Sequence, residues 1–411
     1  MPILLEEDLR RPLPKMYRVR QRFDETCLTD IEDTVRREMA KPEIRALIRP
    51  GMRVAVGVGS RGIQNLYPIV ETTVNALREL GAQPFIVSAM GSHGGGTEEG
   101  QREVLAGYGI TEERLGVPVV TTVDTVYLGD CANGRPVWFD RAAYEADLIV
   151  PINRVKLHTD FVGPIQSGLC KMLVIGLGNH KGCSAVHEEA PEVFADAIEE
   201  TARLILQKAP VGFGIAILEN AYDKTYAIEA VPAEHLVERE KELVQIARGN
   251  MPYIMLDEAD VIVCGAIGKD ISGAGFDPNI LGRSSVLKQF VLHIPRYQRL
   301  VLCDVTPVSH GNGIGVGLFD VITKKVAEQL DLESMYANAI ACNCLGDASV
   351  PCTVDDEETA IRVALKCCRN IDRDHPRIIR IQNTLHLGEI EVSEALLDAV
   401  RADPRMSLIE S

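Results

Sequence analysis

The chain has 411 residues, 46% of them apolar and 25% charged, with a net charge of −16 and a pI near 5.1. It is long enough for two ordinary cores, while its acidity argues against a nucleic-acid surface and gives no signal for an anionic membrane. The charged opening MPILLEEDLRRPLPK does not resemble a secretory signal and no uninterrupted apolar run could span a bilayer, so the eleven cysteines are expected as reduced thiols in a cytoplasmic protein.

Short β-type runs alternate with longer helical patterns, which predicts an α/β protein with mainly parallel sheets. Residues 53–58 (RVAVGV) read as a buried strand, followed by a helix over 67–80. A strand over 83–89 leads to a helix starting near Thr97, and further strands are expected at 118–123 and 146–151. A helix over 194–208 and a strand over 212–218 follow. The charged, periodic segment 233–248 (AEHLVEREKELVQIAR) reads as a solvated amphipathic helix at the edge of the first domain. A second α/β pattern has strands at 259–266 and 300–304, helices near 318–329 and 357–368, a last strand at 377–382 and a last helix at 393–400. The boundary falls between Gly249 and Asp257, giving domains 1–250 and 251–411.

In parallel sheets, ligands bind beyond the carboxyl ends of the strands. Two glycine-rich loops follow strands here, GVGSRG at 57–62 and GSHGGGTEE at 91–99. Their amides can approach an anion, but neither matches the P-loop or the G-x-G-x-x-G fingerprint. Thr97 is expected to cap a helix with Glu98 and Glu99 in its first turn. His93 has few packing partners between glycines, and Arg61 at a strand end suits a fork for a carboxylate or phosphate.

The segment from Ala146 to Glu189 concentrates chemistry, with His158, Lys171, His180 and His187 in a chain of nine histidines. Imidazoles titrate near neutrality and ligate metals. Lys171 lies in the apolar run SGLCKMLVIGLG, where desolvation favours an uncharged, nucleophilic amine. His180, beside Lys181, reads as loop surface, and His235, His293 and His375 as structural. A zinc triad of His93, His158 and His187 lacks any close H-x-x-x-H pair, and the C-x-C of Cys342 and Cys344 with Cys352 is a weak metal signal. No G-x-S-x-G elbow, cysteine-hydrolase signature or EF-hand loop is present.

Three stretches occur in order: SRGIQN at 60–65, AMGSHGGGTEE at 89–99, and KLHTDF…SGLCK…AVH at 156–187. Together they resemble the nickel-pincer-nucleotide lactate racemase family. The spacing from Lys171 to His187 is the most telling part. The resemblance implies two α/β domains with an active-site cleft between them, the C-terminal one closing over substrate. It implies that Lys171 holds the cofactor covalently through a thioamide and that His187 completes the nickel coordination. His93 and His158 become paired acid/base histidines. Arg61 helps hold substrate or cofactor, and Ser60, Gly94, Gly95, Ser167 and Gly168 line the cofactor.

The implied activity is racemisation or epimerisation at C2 of a 2-hydroxy acid, with cofactor-maturation enzymes as partners and self-association left open. Taking the C2 hydrogen as hydride avoids a carbanion, and each histidine handles the hydroxyl proton of one stereoisomer. The second domain departs from the lactate enzymes, in which K-D-I is followed by a tyrosine, a glutamine and a lysine. Here GKDISGAGFDPNILGR keeps Lys269, Asp270 and Ile271 but has Ala274, Gly275 and Pro278 in the later places, and the segment from His158 to Lys171 is slightly longer. A substrate bulkier than lactate, such as a sugar acid, is therefore expected, with Lys269, Asp277, Asn279 and Arg283 toward its additional polar groups. His310 and Asn312 are weaker candidates of the same kind. Two other readings stay open: a zinc-dependent lyase or hydrolase using His93, His158 and His187, and a non-catalytic protein binding an anionic metabolite.

Overall fold

The valine- and isoleucine-rich runs assemble into two large sheets in a computed structural model that describes residues 4–59 and 62–410. The chain divides into two units, Glu25–Met251 and the combination of Met1–Asp24 with Pro252–Ser411. The crossing at Met251 lies within the expected boundary. The expectation of a first domain starting at residue 1 is corrected by β1, Met16–Gln21, which joins the C-terminal sheet. In its sequence MYRVRQ, Val19 is fully buried and the carboxamide of Gln21 bonds the Leu387 carbonyl and the Met255 amide, so the strand is committed to that core. A six-residue strand without a loud apolar pattern is hard to assign to a distant sheet.

In Glu25–Met251 the strands are β2 (Arg53–Val58), β3 (Gln83–Ser88), β4 (Val119–Val120), β5 (Thr125–Asp130), β6 (Pro136–Asp140), β7 (Leu148–Arg154), β8 (Phe213–Glu219) and β9 (Thr225–Pro232). Six form one sheet in the order β4-β3-β2-β7-β8-β9, parallel except for the antiparallel edge strand β9. Strands β2 and β3 are buried at every position after the first, as a sheet covered on both faces requires. Order reverses between β2 and β7, so the crevice for a ligand lies at their carboxyl ends. The hairpin β5–β6 stands apart as its own two-stranded sheet.

The segment 233–248 is helical over Leu236–Asn250, but it is not merely solvated. Leu236, Val237, Glu240, Leu243, Val244 and Ala247 are buried, at the spacing of one helical face.

The other unit has β10 (Val261–Cys264), β11 (Arg299–Leu302), β12 (Val321–Thr323), β13 (Cys352–Val354), β14 (Ile378–Ile381), β15 (Glu389–Ser393) and β16 (Met406–Leu408). Its sheet order is β13-β12-β11-β10-β14-β15-β1-β16, with the first five strands parallel and the last three added antiparallel. The expected helix near 318–329 is instead the short strand β12 with a helix only at Lys324–Gln329, capped by Thr323. Strand β14 is followed by two more strands, not by the final helix alone. Among the described residues, no helix is long and apolar enough to cross a membrane. All eleven cysteines are free thiols.

Candidate active site

The reactive residues of the Glu25–Met251 unit cluster where its parallel strands end. Strand β7 delivers the loop carrying His158, β3 delivers the loop carrying His93, and β2 leads to Gly59. Ser60 and Arg61 lie outside the described residues. Lys171 ends the short turn Leu169–Lys171 and precedes a π-helical stretch, Met172–Gly176, a form that recurs at functional sites. That stretch packs on the loops after β2 and β3. The Gly91 amide donates to the Gly176 carbonyl at 3.0 Å, and Gly91 has a φ of +61°. A Cβ on Gly91 would sit 2.9 Å from the Ile175 carbonyl oxygen, so both the conformation and the approach require glycine.

His158 and Lys171 are in direct contact, Nε2 to Nζ. The loop between them is closed by paired backbone bonds between Lys156 and Ser167 at 2.9 and 3.1 Å. Gln166 Oε1 accepts the His158 amide at 2.8 Å. The Asp160 backbone amide donates to His158 Nδ1 at 3.1 Å. An amide can only donate, so the neutral imidazole carries its proton on Nε2, the atom that faces Lys171.

Aromatic rings tie this pair to His187. The His158 ring stacks on Phe161 at 4.3 Å, Phe161 lies 4.9 Å from Phe194, and Phe194 meets His187 edge-on at 5.1 Å. His187 ends the helix Asn179–His187. Its Nδ1 donates to the Cys183 carbonyl at 2.7 Å, which leaves Nε2 with the lone pair a metal needs. The bond to the Cys183 thiol raises the imidazole above its ordinary pKa. Burial pushes that thiol up, but the His187 hydrogen bond and field outweigh it and bring it below its usual range.

Buried polar groups fix the helix bearing His187. Asn179, at φ +53°, donates to Asp140 Oδ2 at 2.8 Å, and the Asp140 amide bonds the Leu177 carbonyl at 2.6 Å. Burial pushes the Asp140 carboxyl up to about 6, against the hydrogen bonds it accepts from the Ala143 amide and the Asn179 side chain. Lys181 lies over the ring of Trp138 from the β5–β6 hairpin at 3.3 Å. Arg135, with its side chain only 5% exposed, pairs with Glu189 and with Glu200 at 2.9 Å, fastening the segment after His187 to the helix Phe194–Lys208.

The remaining candidates are dispersed. The His93 ring is exposed on its loop, and its amide bonds the Met90 carbonyl at 3.1 Å. Thr97 caps the following helix as expected, accepting the Gly100 amide at 3.1 Å. Gly94 packs against Gly100 and Gln101, whereas the space around Gly95 is open. His180 is exposed as expected, but it lies in the helix Asn179–His187 and not in a loop. Among the described residues, no three His, Cys, Asp or Glu side chains gather as a metal site, so His93, His158 and His187 do not form the zinc triad considered above.

In the other unit, Lys269 bonds the Gly273 carbonyl and Asn338. Asp277 is buried and accepts both the amide and the side chain of Asn279. Arg283 pairs with Asp320 at 2.7 Å. Sequence reasoning missed Phe161, Phe194, Asp140, Arg135 and Glu240. For Glu240 the signal was present, because it occupies the apolar face of an otherwise charged helix.

Residues 15–196 match the family model for the lactate racemase N-terminal domain. The lactate racemase apoprotein from Thermoanaerobacterium thermosaccharolyticum is a structural neighbour with a TM-score of 0.54 and 13% identity, over 89% of this chain and 94% of that one. A Thermotoga maritima protein aligns more loosely, with a TM-score of 0.42 and 14% identity over 57% of this chain and 62% of that one. No curated protein matches the sequence. Residues 15–196 thus carry a domain of the lactate racemase N-terminal family.

Proposed function

We propose that the protein is a racemase or epimerase inverting C2 of a 2-hydroxy acid, using a nickel-pincer nucleotide held covalently on Lys171. The observation that carries this reading is the contact between Lys171 Nζ and His158 Nε2 at the carboxyl edge of the sheet, with His187 linked to them through Phe161 and Phe194. The residues fit such a group: a lysine side chain in contact with His158, an imidazole whose Nε2 is left as the ligand atom, and open space around Gly95. Lys171 would hold it, His187 would complete the metal's coordination, and Ser60, Arg61, Gly94, Gly95, Ser167 and Gly168 would line it. When bound, the group supplies an electrophile able to accept and return hydride.

The chain's own part is proton handling. His158 would serve as the acid/base group for the hydroxyl proton of one stereoisomer, its ring held in place by the Asp160 amide at Nδ1. His93 serves the opposite stereoisomer in the same way. Phe161 orients the His158 ring by stacking on it. Lys269, Asp277 and Asn279 extend the proposal to a substrate bulkier than lactate.

The chain and its Lys171→Ala variant are to be co-produced with pincer-cofactor maturation enzymes and weighed intact. A nickel-containing adduct is expected only with Lys171 present. Loaded protein is expected to interconvert the stereoisomers of a 2-hydroxy acid, and the His93→Ala, His158→Ala double variant to lose turnover. An unmodified chain, from cells whose maturation enzymes load a known racemase, overturns the reading.

A further inference from the structure

The turn that carries Lys171 begins without a cap of its own. Its first position is preceded by Gly168, which has no side chain, and Leu169 and Cys170 would leave their amides without partners at the start of a helical turn. Glu240 meets the turn from a different element, the helix Leu236–Asn250. The Cys170 amide donates to Glu240 Oε2 at 2.9 Å, so the carboxyl stands at the start of the turn. Glu240 is fully buried, and its second oxygen, Oε1, has no hydrogen-bond partner in reach among the described residues. A carboxyl without full hydrogen bonding is an expensive group to keep in a core. Leucine at that place on the apolar face would pack without the cost.

Gly168 is fixed from both sides. Asn153 at the end of β7 donates to its carbonyl at 2.9 Å. A Cβ on Gly168 would fall 2.6 Å from the carboxyl carbon and Oε1 of Glu240. The glycine is therefore needed for the close approach of Glu240, whatever else passes near it. Three residues on, Lys171 reaches His158.

We propose that Glu240 is a positioning residue: by holding the Cys170 amide and packing close on Gly168, it seats Lys171 at His158 in the posture required for covalent attachment of the cofactor. This role rests on the anchoring function given to Lys171 above. The seat itself is a property of the cofactor-free chain.

The test pulse-labels cofactor-free protein with acetic anhydride and reads the ratio of acetylation at Lys171 to that at exposed Lys208 by peptide mass spectrometry. Glu240→Leu removes the acceptor, and the Lys171 ratio is expected to rise about five-fold, the equilibrium equivalent of losing a typical helix cap. Glu240→Gln keeps an acceptor for the Cys170 amide and is expected to stay near the wild type. Val244→Ala, on the same buried helix face, lowers stability and is expected to leave the ratio unchanged. Gly168→Ala presses on the same contact from the other side and serves if Glu240→Leu does not fold. Co-produced with maturation enzymes, Glu240→Gln and Val244→Ala are expected to carry the Lys171 adduct and Glu240→Leu to lose it. A Glu240→Leu ratio equal to wild type, or one matched by Val244→Ala, overturns the proposal. If the wild type carries no adduct, the anchoring function falls and this role with it, whereas labelling still decides whether Glu240 seats the turn.

Discussion

Replacing Glu240 by glutamine gives a stability change with a defined pH window. Burial pushes the Glu240 carboxyl from an ordinary 4.5 up to about 7, against the pull of the Cys170 and Leu169 amides. Because the folded pKa is raised, the native chain holds a proton that the unfolded chain releases. The group's stabilising contribution is therefore complete below pH 4.5 and is lost as pH rises through 7. At about 1.4 kcal/mol per pH unit, the loss is about 3 kcal/mol. Glutamine resembles the protonated carboxyl in shape and acceptor but cannot ionise. Near pH 4.5 the two chains should unfold at similar urea concentrations, and by pH 8 to 9 the variant should be the more stable by up to about 3 kcal/mol.

The assay is built in, since the chain's one tryptophan, Trp138, lies in the same unit as Glu240 and reports its unfolding by fluorescence. Asp140, raised to about 6, makes both chains lose stability with rising pH and cancels in the difference. A difference that stays flat from pH 4.5 to 9, or that favours the wild type at high pH, would refute the account of a carboxyl burdened by burial.

Two further predictions concern the site's loops and wall. Gly94 and Gly95 both have positive φ, 64° and 67°, but a Cβ on Gly94 would meet the Gln101 amide nitrogen at 2.6 Å while one on Gly95 meets nothing. Gly95→Ala should cost about 1 kcal/mol from conformation alone and Gly94→Ala clearly more, as read by urea unfolding; equal costs would contradict the close packing. Phe161→Ala removes a buried ring between His158 and Phe194 and should destabilise the unit by about 3–5 kcal/mol. A loss under about 1 kcal/mol in the same assay would mean that the aromatic chain is not packed as described.

The pieces of the site were legible in sequence to the degree that their signals were local. The helix Phe194–Lys208 and the strand Arg53–Val58 have the bounds expected from periodicity, because each has an uninterrupted apolar pattern. The glycine-rich loop and the segment through Lys171 and His187 could be identified as chemical because residues uncommon in apolar surroundings stand close together there. What escaped depends on partners far along the chain. Glu240 meets Cys170 seventy residues away, and Asn179 meets Asp140 thirty-nine away. A charge-rich helix reads as solvated until one asks which face each charge occupies, and Glu240 shares its face with Leu236, Val237, Leu243, Val244 and Ala247. The hairpin β5–β6 was missed because β5 has an irregular burial pattern and a bulge between Tyr127 and Gly129. Strand β1 was missed because only the far end of the chain reveals its sheet.

That strand also dictates an order of events during synthesis. The Glu25–Met251 unit contains every strand of its own sheet and is complete once Met251 has left the ribosome. Strand β1 emerges before that unit, yet its two neighbours, β15 and β16, emerge only after it and after the rest of their own sheet. Until they arrive it is unpaired, the kind of segment that recruits other chains. Its alternating arginines answer that exposure: Arg18 and Arg20 keep the nascent strand charged and soluble, and both later close on Glu389, at 2.8 and 2.9 Å, when β15 arrives. The same two side chains act first as guards against premature pairing and finally as markers of the correct one.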